Sequence, residues 1–297
     1  MEKPSASGRG FFCSPGDDSA ALAGILMRAT PERGALAGAC FSTYRGSVTD
    51  REFPLEGGNA AAEVVRVSDT VRKPWTSTSR QVADFVDMLA DRGVDVPRTL
   101  GRDASGRQII EFVPGRLAEE LLPLSDSDLG RVGRLISTIH DTAERAGIPE
   151  NPWNVLIPAR DADLICHNDL APWNLIIGER WVFIDWDGAG PSTRLWDLAY
   201  AAQAFTLNDV AESPTIAADR LAALVDGYGA DEALREALPR TMVERTEAMH
   251  DLLRTAHLAG RQPWATMYIE GHGAHWRAAT EYVAQHEGVW DEALRIA

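Results

Sequence analysis

Apolar positions change their spacing twice along this chain. Through "VVRVSDTVRKP" and "RQIIEFVPG" they form short runs cut by turn pairs and prolines, which predicts strands at 63–67, at 70–73 before Pro74, and within 107–115. Between them Val82, Phe85, Val86 and Leu89 recur at helical spacing, after a cap expected at Ser77 or Ser79 and up to Arg92. Past residue 126 the helical period dominates, over 126–146, 196–205, 216–228, 231–258 and 268–296. One strand pair interrupts it, 175–177 and 181–184, split by the turn pair Gly178-Glu179. A β-rich front of about 60 residues before a helical part about three times as long predicts an α+β chain in two lobes. The small lobe is an antiparallel sheet, the larger one is helical, and a cleft separates them. "EFVPGR" is the expected crossing, dividing 52–113 from 114–297, and residues 1–51 read as an extension without assignment.

The interrupting hairpin carries acids where a buried strand pair is normally apolar. In "CHNDLAPWNLIIGERWVFIDWDGAG" the polar residues Asp169, Asn174, Asp185 and Asp187 fall at strand ends. Three carboxylates converging at one hairpin mouth cost several kcal/mol each if unpaired, and divalent cations offer the compensation. His167, Asp169 and Asn174 form H-x-D-x-x-x-x-N, with Asp185 at the end of the following apolar strand. Phosphoryl transfer needs a base beside the attacking hydroxyl and metal ligands that hold nucleotide phosphates, which an Asp, an amide and a second Asp supply. Asp187 reads either as part of a second metal site or as a residue solvating its turn. His140, in "LISTIHD", reads as a packed helix histidine.

Composition narrows the partners. The 297 residues are 45% apolar and 25% charged, enough for a substantial core, and carry a net charge of −15. That balance argues against DNA or RNA, because no basic stripe replaces phosphate counterions, and it attracts cationic small molecules. Cys13, Cys40 and Cys166 are too scattered for a disulfide framework or a metal knuckle. The apolar run at 20–27 is far short of a membrane span and follows Asp17 and Asp18, so a cytoplasmic protein with no membrane partner is expected.

"ICHNDLAPWN", "FIDWDGAGPSTRLWDLAYAA" and "EGHGAHW" resemble the aminoglycoside phosphotransferase family, small-molecule kinases with a protein-kinase-like fold. The resemblance spans about residues 53–297. It implies ATP- or GTP-dependent transfer to a substrate hydroxyl, with Asp169 as catalytic base and Asn174 and Asp185 as Mg²⁺ ligands. It also implies that His167 orients the catalytic loop and that Asp197, in "LWDLA", braces it from a helix start. Asn168 stands where the family commonly has Gly, and Asn tolerates left-handed backbone angles.

On the nucleotide side, "EGGNAAAE" with Gly57, Gly58 and Asn59 would let backbone amides approach phosphate, although an ordinary hairpin uses the same Gly pair. Arg72 and Lys73 point to opposite faces of their strand, so one of them meets the phosphates. Arg72 is the favoured one by family pattern and Lys73 the alternate. The helix after them has no Glu to pair that cation, offering Gln81, Asp84 and Asp87 instead. The resemblance to kinase hinges implies adenine binding through backbone groups of Glu111 and Val113.

For the acceptor, Asp209, Asp226 and Glu270 are candidates by position, with Trp264, Tyr268 and Trp276 as core or pocket wall. The leading expectation is an O-phosphotransferase acting on a small-molecule hydroxyl, an antibiotic such as an aminoglycoside or a biosynthetic intermediate. A kinase for a natural-product peptide hydroxyl is a second reading. A catalytically weak nucleotide- or toxin-binding immunity protein is a third.

Overall fold

The structure, a computed structural model, describes residues 51–55, 64–150 and 153–295. Gly57, Gly58 and Asn59 therefore lie outside the described residues. The front of the chain builds an antiparallel five-stranded sheet in the order β1-β2-β3-β5-β4. Its strands are β1 (Phe53–Pro54), β2 (Val65–Val67), β3 (Thr70–Lys73), β4 (Thr99–Arg102) and β5 (Gln108–Glu111). The turn at Ser68-Asp69 joins β2 to β3, and Pro74, with no N–H to donate, follows β3. β4, "TLGR", carries one large apolar residue, Leu100, and that residue is exposed, so no apolar run announced the strand.

Helix α1 (Ser79–Asp91) buries Val82, Phe85, Val86 and Leu89, the stripe its spacing predicts. Neither expected serine caps it. Thr78 holds the cap position, while the buried Ser79 hydroxyl accepts from the Thr76 N–H (2.9 Å). The stripe joins the main core of the large lobe, where Phe85 meets Trp186 edge-on at 5.9 Å.

The larger lobe begins with β6 (Arg116–Leu117) and α2 (Asp126–Glu144), capped by Ser125, whose hydroxyl accepts from the Asp128 N–H. β7 (Leu164–Cys166) follows, then the hairpin β8 (Leu175–Ile177) and β9 (Trp181–Phe183), then β10 (Gly190–Ser192). β7 pairs with β10 and β8 pairs with both β6 and β9, so two small sheets frame the acidic segment. Arg180 in the hairpin turn reaches Asp95 and Glu111, each at 2.5 Å, and ties the hairpin to the small lobe. The helices α3 (Arg194–Thr206), α4 (Pro214–Tyr228) and α5 (Glu232–Leu258) complete the body of the lobe. The single helix expected at 268–296 is broken. It becomes a π-turn at Tyr268–His272 following α6 (Trp264–Met267), then α7 (Gly273–Gln285) and α8 (Glu287–Leu294), because Gly271 at φ 116° leaves the helical region. No described helix is long and apolar enough to cross a membrane.

α2 and α4 touch through glycines. A Cβ on Gly133 would overlap the Leu224 carbonyl oxygen, and one on Gly227 would overlap the Gly130 carbonyl. Both obstacles are backbone, which cannot rotate away. Gly133→Ala is therefore expected to destabilise the protein by about 1–3 kcal/mol, the usual cost of overpacking, read as a lower Tm in thermal denaturation.

Candidate active site

Two turns held in the left-handed backbone region carry the acids. Asn168 sits at φ 64° and Asp185 at φ 59°, conformations uncommon for residues with a Cβ, and they abut in space. The Asn168 side chain donates to the carbonyls of Gly188 (3.1 Å) and Gly190 (3.2 Å), stapling one turn to the other. A Gly at this position would permit the turn and lose the staple.

The loop after β7 is braced from α3. Asp197 is 1% exposed, and its Oδ1 accepts from the Asn168 N–H (2.9 Å). Its Oδ2 lies 3.1 Å from His140 Nε2, and His140 Nδ1 meets the Tyr228 hydroxyl at 2.9 Å. The amide-capping role of a helix-start residue falls instead to Thr193, whose hydroxyl accepts from the Trp196 N–H. Ligand atoms of His140, Cys166 and Asp197 lie within 4.8 Å of one another, but Asp197 spends both oxygens on His140 and Asn168.

His167 is fully buried, and burial lowers its pKa, so the ring is neutral. Its Nε2 lies 3.1 Å from the Ile184 carbonyl, while Nδ1 accepts the Asp169 N–H at 3.3 Å. Donation from Nε2–H and acceptance at Nδ1 satisfy one tautomer. The ring packs against Trp186 at 4.4 Å. It thus connects the loop of Asp169 to the strand end that presents Asp185.

Asp169 has no solvent exposure. Its Oδ2 accepts from Asn174 Nδ2 (2.7 Å), and the same amide donates to the Asp169 carbonyl (3.0 Å). Oδ1 and the Tyr200 hydroxyl each lack a partner at normal hydrogen-bond geometry, yet they lie close enough that the hydroxyl favours the ionised carboxylate and opposes the rise in its pKa. Burial first, and the Asp185 charge second, raise the Asp169 pKa well above the carboxylate range.

Asn174, Asp185 and Asp187 line a cleft of about 580 Å³ between the lobes, together with Lys73, Glu111 and Trp173. Lys73 Nζ lies 3.2 Å from Asp185 Oδ1 and 2.8 Å from Asp187 Oδ1. Burial works against its ammonium, yet the Asp187 and Asp185 carboxylates hold its pKa above the usual lysine range. Asp187 moves the opposite way to a simple ion pair. Burial and the neighbouring Asp185 charge together raise its pKa despite Lys73. One ammonium shared by two carboxylates leaves negative charge over. With Asn174 Nδ2 taken by Asp169, the Asn174 carbonyl oxygen and the two carboxylates make an all-oxygen set, which suits Mg²⁺.

Of the two adjacent cations expected on this strand, Lys73 and not the favoured Arg72 lines the cleft. Arg72 turns to the other face of β3, with Nε 3.8 Å from Asp103 and a bond from its guanidinium to the Thr70 hydroxyl. Strand alternation sends one of two adjacent residues inward, and that residue is Lys73. Of the α1 candidates, Asp84 pairs with exposed Arg80 and Asp87 accepts from Thr99, so the Lys73 partners come from the acidic segment instead. At the crossing, Glu111 lines the cleft, but its N–H already donates to the Arg98 carbonyl (2.9 Å). The Val113 side chain is buried with Ile176 and Val182.

The acceptor candidates do not gather. Asp209 is exposed and accepts from Ala211 N–H in its own turn, Glu270 is exposed on the π-turn, and Asp226 pairs with Arg235. None of the three lines the cleft. Trp264 and Trp276 are core, with Tyr268 packed against them. Sequence reasoning missed Trp173, Tyr200 and Arg245 around Asp169. Arg245 carried a signal, since it interrupts the buried stripe Leu238, Met242, Met249 and Leu253 of α5.

Residues 141–240 match the model of the phosphotransferase enzyme family. No curated protein matches the chain. Among solved structures, it is similar to a choline/ethanolamine kinase family protein from Mesorhizobium loti, with TM-score 0.55 and 17% identity over 84% of this chain and 94% of that one. It is also similar to an amicoumacin kinase in complex with AMP-PNP, Ca²⁺ and Ami (TM-score 0.55, 14% identity, 80% of this chain and 89% of that one). A microcompartment-associated aminopropanol kinase gives TM-score 0.52 and 15% identity over 79% and 90%. The chain thus has the bilobal protein-kinase-like fold of these small-molecule kinases and, over the stretch that holds Asp169, Asn174, Asp185 and Asp187, is a match to the phosphotransferase enzyme family.

Proposed function

We propose that the protein transfers the γ-phosphoryl group of a nucleoside triphosphate, ATP or GTP, to a hydroxyl of a small molecule. The observation that carries this reading is the convergence of Lys73, Asn174, Asp185 and Asp187 on one interlobe cleft, with Asp169 directly behind Asn174. Residues 52–113 act as the nucleotide lobe and 114–297 as the lobe of the catalytic loop and acceptor.

Asp169 accepts the proton of the acceptor alcohol as its oxygen attacks phosphorus and the nucleoside diphosphate leaves. The raised pKa of Asp169 makes it a better proton acceptor than an exposed carboxylate. His167 and Asp197 hold its loop, Lys73 faces the phosphates, and the Glu111 carbonyl with the Val113 backbone takes the base, the Glu111 N–H being spent on Arg98. Asn174 and Asp185, with Asp187, would hold Mg²⁺, which supplies charge neutralisation at the phosphates when bound. Asp209 and Glu270 lie off the cleft, so neither is assigned to the acceptor.

Thermal shift with ATP, with GTP and with neither, each with Mg²⁺, tests the reading. A bound nucleotide at a hundredfold excess over Kd stabilises by about 2.7 kcal/mol, and Asp185→Ala is expected to abolish that shift. Failure of both nucleotides to stabilise the parent protein rejects the phosphotransferase. Stabilisation without transfer to any of a panel of hydroxylated amines, sugars and peptides supports a nucleotide-binding protein instead.

A further inference from the structure

Among the described residues Arg245 is the only arginine or lysine in the buried set, at 3% exposure. A guanidinium taken out of water needs compensation, and this one is only partly satisfied. Its Cζ lies 4.4 Å from the centroid of the Tyr200 ring and 5.7 Å from that of Trp196. Nη2 donates to the Asn168 carbonyl at 3.3 Å, and Nη1 has no partner.

That single bond falls on the peptide unit that leads into Asp169. The carbonyl of the unit is held by Arg245, and its N–H by His167 Nδ1. Neither end belongs to a helix or sheet ladder, so two side chains set the tilt of the plane from which the Asp169 side chain departs. Arg245 does not line the interlobe cleft. The cavity beside it, bordered by Asn168, Gly188 and Met249, is about 10 Å³, room for one water and no ligand group.

We propose that Arg245 is a positioning residue for phosphoryl transfer, fixing the Asn168–Asp169 peptide plane and so aiming the Asp169 carboxylate without touching either substrate. The inference rests on the phosphotransferase reading for its kinetic consequence alone. The competing role, a plain core-packing residue, has a different signature, because loss of packing lowers stability, nucleotide binding and turnover together.

Arg245→Lys is the decisive variant. It keeps the charge and the aliphatic stem, but an ammonium lacks the planar fork that lies on a ring and donates sideways at once. Amide hydrogen exchange over residues 167–170 is expected to quicken about tenfold at unchanged protection of α2. Hydrolysis of Mg-nucleotide, with water as acceptor, is expected to fall about tenfold at a nucleotide Kd within twofold of the parent. Arg245→Met should lose about a hundredfold. Unchanged exchange in the loop overturns the proposal, as does a loss of turnover matched by an equal loss of nucleotide affinity. Should Arg245→Met fail to fold, Arg245→Lys decides; if that also fails to fold, Arg245 holds the core and the proposal falls. A parent protein that binds no Mg-nucleotide rejects the phosphotransferase instead, while the exchange measurement still tests the positioning role.

Discussion

Asp169→Asn is expected to lower turnover about 10²–10⁴-fold, the span of a lost general base, while making the protein more stable. Both effects come from one carboxylate. In the parent it is fully buried, with one oxygen bonded to Asn174 and the other unpaired. An amide keeps the shape and the bond from Asn174, and its own N–H₂ can donate to the unpartnered Tyr200 hydroxyl. Relief of an unsatisfied buried group is worth about 1–3 kcal/mol. The pH dependence follows from the sign of the shift. Because the folded-state pKa of Asp169 lies above its unfolded value, the folded protein binds more protons between the two, and parent stability declines as pH rises through that window. The advantage of Asp169→Asn therefore grows from acid pH upward and levels off above the raised pKa. Melting curves across pH, paired with turnover at a fixed pH, check both parts. Turnover within about tenfold of the parent removes Asp169 from the role of base.

Lys73→Met and Arg72→Met should part company, although the two residues adjoin. Lys73 is the cation that Asp185 and Asp187 share, at 3.2 and 2.8 Å. Its removal takes a charge-bearing donor out of the cleft, and loss of one such donor costs about a hundredfold or more in kcat. It also leaves two carboxylates without their cation. Their side chains keep 26% and 18% exposure, so the penalty is about 1–2 kcal/mol, below the figure for a fully buried broken pair. Mg²⁺ alone is expected to restore part of that stability. Arg72 faces Asp103 and Thr70 on the other side of the sheet, so Arg72→Met should leave turnover within about threefold. Equal losses in the two variants would show that the strand presents both residues to the cleft, contrary to its register.

The elements most legible in the sequence were those with a sustained period. The stripe of α1 and helices α2 to α5 follow from 3.6-residue spacing, because burial of one face imposes that spacing on the chain, whereas the hairpin β8–β9 was marked by two apolar runs around a turn pair. β1, β6, β7 and β10 are two or three residues long and carry too few positions to show a period. The break at Gly271 was hidden, since one glycine in a helical pattern does not reveal whether its φ turns positive.

By itself the sequence determined the make-up of the acidic segment: a histidine, an acid and an amide at fixed spacing, then Asp185 at the end of an apolar strand, need a sharp turn and a compensating cation wherever the chain folds. Only the tertiary structure decided which partners answer that need. β3 enters the cleft in a register that places Lys73, not Arg72, against the acids, and α5, far along the chain, delivers Arg245 to the Asn168 carbonyl. The reason is that spacing along a chain is a local property, whereas the meeting of charges from distant segments depends on strand register and helix rotation. A shift of one residue in a strand would reverse which side chain faces the cleft.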